Sequence, residues 1–516
     1  MQKLIPHIIK AVLSIFILLL VLFESRGQNT FSKIIDYDGS PQNGMEVVKY
    51  NDEFIIHWAG ICQDDEGKLV EPCCGVVVLD SNATTINRKI IKKFSTGLTS
   101  MIIDTMSKNI FLSGEPIGDY GNHRFMLNKL SLDDLDHLSS DYFSSHDKNQ
   151  IDYAQILTKY KDKSLFIIGS GIDSIKNNKN ILILKITEGI LDTSAVISFG
   201  ESTTVWSSLI NKRQNLVLSF EVREKLKDYY YTIEYNENFV PIRKVVLGEN
   251  KGNIWPRICE LENGNLVMTV SEDKYRQIAS ILCIDSLNNK VWHYNFPFNS
   301  NQIQRQLSQL KVLKNGDILG VGYYGNLGLN LNTKISAVPY IFRMTSNGKL
   351  LWEKAFFRET TGNISAYGDF KDFVELETGD LFVVGKIANY LDFDPIVQLG
   401  RTDLDLFVVR MNAQGCIDDK CEFLTNVTPR LSGTDEGNFD SLGDVVIYPN
   451  PADESFYLKN NSPVKTITIR TLQGTQLKKI SEPPNEISTS ELIPGTYFIN
   501  IQLDNGEVIV KKLIKY

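Results

Sequence analysis

Past residue 23 the chain has no long apolar run, and its 516 residues include only six histidines, five tryptophans and seven cysteines. Without a further stretch of about 20 apolar residues, nothing in the mature chain is expected to cross a bilayer as a helix. Basic residues are in deficit: 54 Lys and Arg against 62 Asp and Glu give a net charge of -8. That balance argues against a general affinity for nucleic acid or anionic membrane, which needs clustered cations. No Gly-x-Ser-x-Gly elbow, His-Glu-x-x-His pair, phosphate loop or dinucleotide fingerprint is present, so no catalytic or cofactor-binding residue is assigned. No pair of Cys or His stands at zinc spacing with a second pair to match, and no metal ligand is assigned. His123, His137 and His146 fall in or near the polar stretch 133–147, which reads as a solvated loop, as do the paired acids Asp64-Asp65 and Asp133-Asp134. Helical periodicity of three to four residues does not persist anywhere long enough for an α-repeat.

The N-terminus carries Lys3 and Lys10, then an apolar run from Ala11 to Phe23 and an abrupt polar turn at 24–28. That order and polarity read as a secretory signal over residues 1–27. An oxidising destination suits the cysteines. Cys416 and Cys421 bracket four residues, a spacing suited to a disulfide-closed turn. Cys62 has Cys73 or Cys74 as a partner, and Cys259 and Cys283 either pair or are simply buried. The odd count leaves at least one free thiol.

One pattern recurs along the chain: a strand, a polar turn, then a second apolar strand. It is clearest at 260–270, 312–322 and 375–385, where Asn263-Gly264, Asn315-Gly316 and Thr378-Gly379 supply the positive φ that tight hairpins need. Weaker copies lie at 104–114 and 158–169, and degenerate ones near Val47 and Ile210. Third and fourth strands follow, as at 280–294 and 340–354. Seven such units, spaced by roughly fifty to sixty residues, match four-stranded propeller blades. An immunoglobulin-like sandwich needs about 100 residues, twice this period. The fold class is therefore all-β: a seven-bladed β-propeller over 28–423, with residues 31–36 placed to return and close the last blade. Gly320, Gly322 and Gly385 on second strands suit crowded packing between blades.

These repeats resemble those of large secreted proteins of Bacteroidetes and related bacteria. The likeness rests on Leu391-Asp-Phe-Asp-Pro395, on the third strand 402–410, and on the Gly-Cys-x4-Cys ending at Cys421. It spans roughly residues 45 to 423 and is strongest in the last three units.

Residues 424–443, rich in Asn, Thr, Ser, Gly and Asp, read as a linker. From 444 to 516 alternating strands restart, punctuated by Gly474, Pro494-Gly495 and Asn505-Gly506, as a small β-sandwich. Tyr448, Pro449, Asn450 and Pro451, then Gly495 and Tyr497, then Lys511 and Lys512 stand in the order and spacing of the C-terminal sorting domain of the type IX (Por) secretion system, which this segment resembles. The resemblance implies passage through that machinery, a secreted or cell-surface destination, and removal of the tail near the linker in many members. The leading functional expectation is a non-enzymatic binding, adhesion or scaffold protein, with a glycan or protein ligand on a propeller face whose loops are widest in the first three units. The alternative is a secreted polysaccharide-acting hydrolase or lyase.

Overall fold

The computed structural model describes residues 30–35, 42–63, 69–92, 100–114, 125–143, 150–160, 164–173, 178–188, 190–199, 202–224, 227–249, 254–271, 279–296, 304–325, 337–357, 359–360, 363–364, 368–388, 404–417, 421–422, 424–426, 430–431, 446–448, 452, 454–459, 463–471, 476–481, 483–484, 486–493, 495–504 and 508–515. The expected leader, His123, His146, Asp64, Asp65, residue 36, residues 391–395, and Pro449 to Pro451 lie outside the described residues. The chain divides into one compact unit ending at Gly433 and another beginning at Thr434.

Among the described residues the first unit contains six sheets in which four successive strands lie side by side antiparallel, and a seventh with three successive strands and one from the other end of the unit. The first strands of the blades are Gln42–Tyr50, Ser100–Asp104, Gln150–Tyr160, Ser202–Ile210, Ile258–Glu260, Gln304–Val312 and Gly368–Glu375. Each touches the first strand of the next blade, and Gly368–Glu375 touches Gln42–Tyr50, so the seven form a closed cycle around an axis. A four-stranded sheet cannot cover both of its faces, and stacking in a ring buries them. Where the ring closes, Phe54 of blade 1 stacks on Phe382 of blade 7 with centroids 3.7 Å apart. Both rings are fully buried, which stabilises the seam by about 2–3 kcal/mol per side chain. The fourth strand of blade 7 comes from the other end of the unit: Phe31–Ile35 pairs antiparallel with Leu404–Met411, Phe31 opposite Arg410. Residue 36 apart, this is the returning strand expected from the sequence.

The two ends of the ring differ. Where they lie in the described residues, first-to-second and third-to-fourth connections are tight turns, and Gly264, Gly316 and Gly379 take the positive φ their turns need. Those turns are joined from blade to blade by recurring contacts. Arg343 pairs with Asp317 at 2.8 Å and donates to the Ala413 carbonyl of the next blade at 3.0 Å. Arg410, in the equivalent place, pairs with Asp380 and donates to the Ser81 carbonyl. Trp292 lies against Gly348 and Trp352 against Gly415, each in the next blade's third-to-fourth turn. Arg243 holds the place of those tryptophans in blade 4 and donates to Asn288 and the Asp285 carbonyl.

At the opposite end run the second-to-third and blade-to-blade connections. Among the former the longest are residues 115–124, 326–336 and 389–403, in blades 2, 6 and 7. The expectation of widest loops in the first three units is thus corrected: two of the three longest of these connections belong to blades 6 and 7, since a surface connection tolerates insertion whatever the regularity of its repeat. The glycine reading is corrected too. Room is short within the blade, beneath the first strand, since a Cβ on Gly322 or Gly385 would lie 1.9 or 2.0 Å from the Gln306 or Asp369 carbonyl oxygen.

Cys416 is bonded to Cys421 across Cα atoms 4.8 Å apart, and Cys73 is disulfide-bonded. Cys74, Cys259 and Cys283 are buried free thiols. Cys259 and Cys283 both pair with Val267 from opposite sides, so a whole strand separates them, beyond disulfide reach. The segment read as a linker opens with two short strands. Leu424–Asn426 adds parallel to the outer strand of blade 6, and Arg430–Leu431 adds parallel to Phe31–Ile35.

The second unit is a sandwich of a three-stranded sheet (Val446–Tyr448, Ser455–Lys459, Glu486–Ser488) and a four-stranded one (Gln476–Ser481, Val464–Thr471, Gly495–Leu503, Val508–Lys515). Phe456 and Ile487 from one sheet and Ile467, Ile469, Ile499, Ile501 and Leu513 from the other share one core. Alternate residues of each strand supply it, as period-two patterning requires.

Candidate functional site

Five of the seven first strands carry a β-bulge, at Met45, Gln155, Trp206, Ser308 and Lys371. The residues just after the bulges, Glu46, Ile156, Ser207, Gln309 and Asp372, therefore occupy equivalent places around the axis. Counting back from the hairpin turn puts Ser100 and Arg257 at the same level in blades 2 and 5. Strands that splay from the axis without pairing leave their edge N–H and C=O groups in need of partners. This layer supplies them. Asp372 Oδ2 accepts from the Val47 N–H of the next blade at 3.1 Å, and Ser207 Oγ accepts from the Ile258 N–H at 3.4 Å. Glu46 accepts from the Ser100 hydroxyl at 2.9 Å and from the Met101 N–H. Lys311 pairs with Asp372 at 2.5 Å and donates to the Phe373 carbonyl at 3.0 Å. Arg257 donates from Nη1 to the Trp206 carbonyl of blade 4.

Burial sets the electrostatics. It is the main cause that raises the Glu46 carboxyl to about 7, with the charge of Asp372 adding to it. Burial lowers the Arg257 guanidinium to about 10, the nearby Glu46 working the other way. His57, opposite Glu46 on the second strand of blade 1, is fully buried and lowered to about 3, so it is neutral.

Above this layer sits an aromatic pair. Trp206 and Trp255 stack with centroids 5.2 Å apart and planes 14° from parallel. Lys371 Nζ and Arg257 Cζ lie 5.8 and 5.9 Å from the Trp255 centroid, within cation–π range. Lys371 reaches there from blade 7 and is itself paired with Asp369 at 2.7 Å. All four side chains are half-buried. They stand before, or within the first five positions of, their first strands, and so toward the end with the long connections. The Nε of Arg257 and the Nε1 of Trp206 are shut off from solvent and have no hydrogen-bond partner among the described residues.

The carboxylates Glu46 and Asp372 are engaged with neighbouring backbone, while the Trp206–Trp255 pair presents aromatic surface flanked by cations. No residue of this site was assigned from the sequence. A signal was there: Lys371 and Asp372 stand together between Phe370 and Phe373 on the first strand of blade 7. Elsewhere His137 is exposed beside the Ser140 hydroxyl at 2.8 Å, and Asp133 makes an exposed ion pair with Lys108 at 3.1 Å. In the sorting segment Tyr448 pairs with Tyr457, Gly495 with Lys515, and Lys511 and Lys512 with Ile499 and Phe498. Tyr497 is buried, and its hydroxyl donates to the Ile493 carbonyl at 2.6 Å.

Residues 446–516 match the secretion system C-terminal sorting domain family. No curated protein matches the chain. Among solved structures it is similar to the β-propeller domain of the Trilobed protease from Pyrococcus furiosus, at 13% identity and TM-score 0.42, over 74% of this chain and 97% of that one. It is also similar to the extracellular domain of a putative hybrid two-component system from B. thetaiotaomicron, at 12% identity and TM-score 0.41, over 94% of this chain and 57% of that one. A third is the polysaccharide lyase Uly1, at 10% identity and TM-score 0.43, over 72% and 90%.

Proposed function

We propose that this β-propeller cargo of the type IX secretion system, sent by its sorting domain to the cell surface or extracellular space, is a non-enzymatic binding module. Its ligand is engaged at the axial Trp206–Trp255 site on the end with the long connections. The observation that carries this reading is the division of labour at the axis: the acidic groups hold blades together, and aromatic and cationic groups remain half-exposed. Aromatic faces with a few placed polar groups are the usual make-up of a ligand site. A glycan or protein ligand fits it. The polysaccharide-acting alternative has the near-neutral Glu46 carboxyl in its favour, but general acid catalysis needs that carboxyl within reach of substrate, and its oxygens face Ser100 and Met101 instead.

The purified full-length protein should bind members of a saccharide and surface-protein panel with a change in tryptophan emission, and Trp206→Ala should abolish that binding. Release of reducing ends or unsaturated products from any polysaccharide would overturn the reading in favour of the enzyme.

A further inference from the structure

Resting on that reading, we propose that the axial site selects a ring-borne carboxylate, which takes the Arg257 guanidinium while the ring lies against the Trp206 side of the aromatic pair. Two of the cations around the axis have ion-pair partners, whereas Glu46, the carboxylate whose charge acts on Arg257, is turned to Ser100 and Met101. Lys371 has Asp369 at 2.7 Å and Lys311 has Asp372 at 2.5 Å. Arg257 has no carboxylate at ion-pair distance among the described residues. A cation drawn out of water without a counter-charge is costly, and burial does depress its proton affinity.

Hydrogen bonding tells the same story. Among the described residues Nη1 of Arg257 has an acceptor, the Trp206 carbonyl, whereas its Nε–H and the indole Nε1–H of Trp206 are two enclosed donors without one. Both belong to residues meeting at one point, because Arg257 reaches the backbone of Trp206 itself. An unpartnered donor is relieved by a ligand that brings acceptors, which for these two enclosed groups requires the surrounding side chains to shift. A carboxylate brings two oxygens and the missing negative charge, and it suits the planar fork of a guanidinium. Lys371 on the same aromatic pair strengthens the selection for an anion. A neutral hydroxylated ring would satisfy the donors but leave the charge unmatched. Phosphate esters carry more charge than the single unmatched cation calls for.

An acidic sugar and an aromatic acid both present a carboxylate on a ring, and the test separates them. Calorimetry and tryptophan emission on the full-length protein would compare oligogalacturonate, the uncharged galactose oligomer of the same length, and benzoate. The expected result is that one of the two acids binds at least about tenfold more tightly than the neutral oligomer, the scale of one charge-assisted contact. Whichever acid binds identifies its source. Arg257→Gln should remove that preference and Arg257→Lys should keep part of it. Should Arg257→Gln not fold, Lys371→Gln and the fall of affinity with salt in the unaltered protein carry the test. Equal binding of the acidic and neutral oligomers, abolished by Trp206→Ala, would overturn the carboxylate inference and leave the binding reading standing. Binding of neither acid, with the panel of the preceding section still yielding a ligand, would overturn it likewise.

Discussion

Replacing Glu46 by Gln should stabilise the protein in alkali and leave it unchanged in mild acid. Burial and the neighbouring Asp372 charge raise the Glu46 carboxyl from 4.5 to about 7. A carboxyl that holds its proton more tightly in the folded state favours folding while protonated. The associated cost is absent below 4.5, grows as pH rises from 4.5, and is complete above 7. At about 1.36 kcal/mol per pH unit the full cost is about 3 kcal/mol. Gln keeps a carbonyl to accept the Met101 N–H, and the Ser100 hydroxyl can turn to meet its amide. Unfolding entropy of roughly 2.1 cal/mol/K per residue, over about 400 residues, converts 3 kcal/mol into a rise of about 3–4 °C. Differential scanning calorimetry of both proteins from pH 4 to 9 should show melting temperatures that nearly coincide at pH 4 and separate by that amount at pH 8. Parallel curves over the whole range would refute the assignment of a buried, strained carboxylate at the axis.

Two further outcomes follow from the packing and the tail. Gly415→Ala should cost about 1–3 kcal/mol in urea denaturation, because Gly415 has φ +76° and a Cβ there would lie 2.7 Å from the Trp352 ring; unchanged stability would mean that the tryptophan does not dock on that turn. Deleting residues 444–516 should leave the protein in the periplasm when cell fractions are blotted, and undiminished surface delivery would count against the sorting role of this segment.

Much of the architecture was legible because its signals are local. Asn263-Gly264, Asn315-Gly316 and Thr378-Gly379 mark hairpins wherever they occur, and their spacing yields the blade count. Even the closing strand was legible, since Phe31 to Ile35 stands ahead of the first repeat and the last unit has only a third-strand half. The axial site was not. Glu46, Arg257 and Asp372 share a level when the repeats are counted back from their hairpin turns, but the residue type changes from blade to blade, so no repeating motif marks it. Trp206 and Trp255 are 49 positions apart and meet only because neighbouring blades converge at the axis. The glycines opposite the bulges were noticed, but the crowding they relieve comes from their own blade rather than the adjacent one.

The shared seventh blade has a kinetic side. Because Phe31–Ile35 is sandwiched between Leu404–Met411 and Arg430–Leu431, that sheet cannot be completed until both ends of the first unit have met. Contacts so distant in sequence are slow to form and form late. Until then the third strand of blade 7 presents an open edge, to which a foreign strand can add. The same latch, once shut, makes loss of Phe31–Ile35 equivalent to stripping the seventh blade of its outer strand.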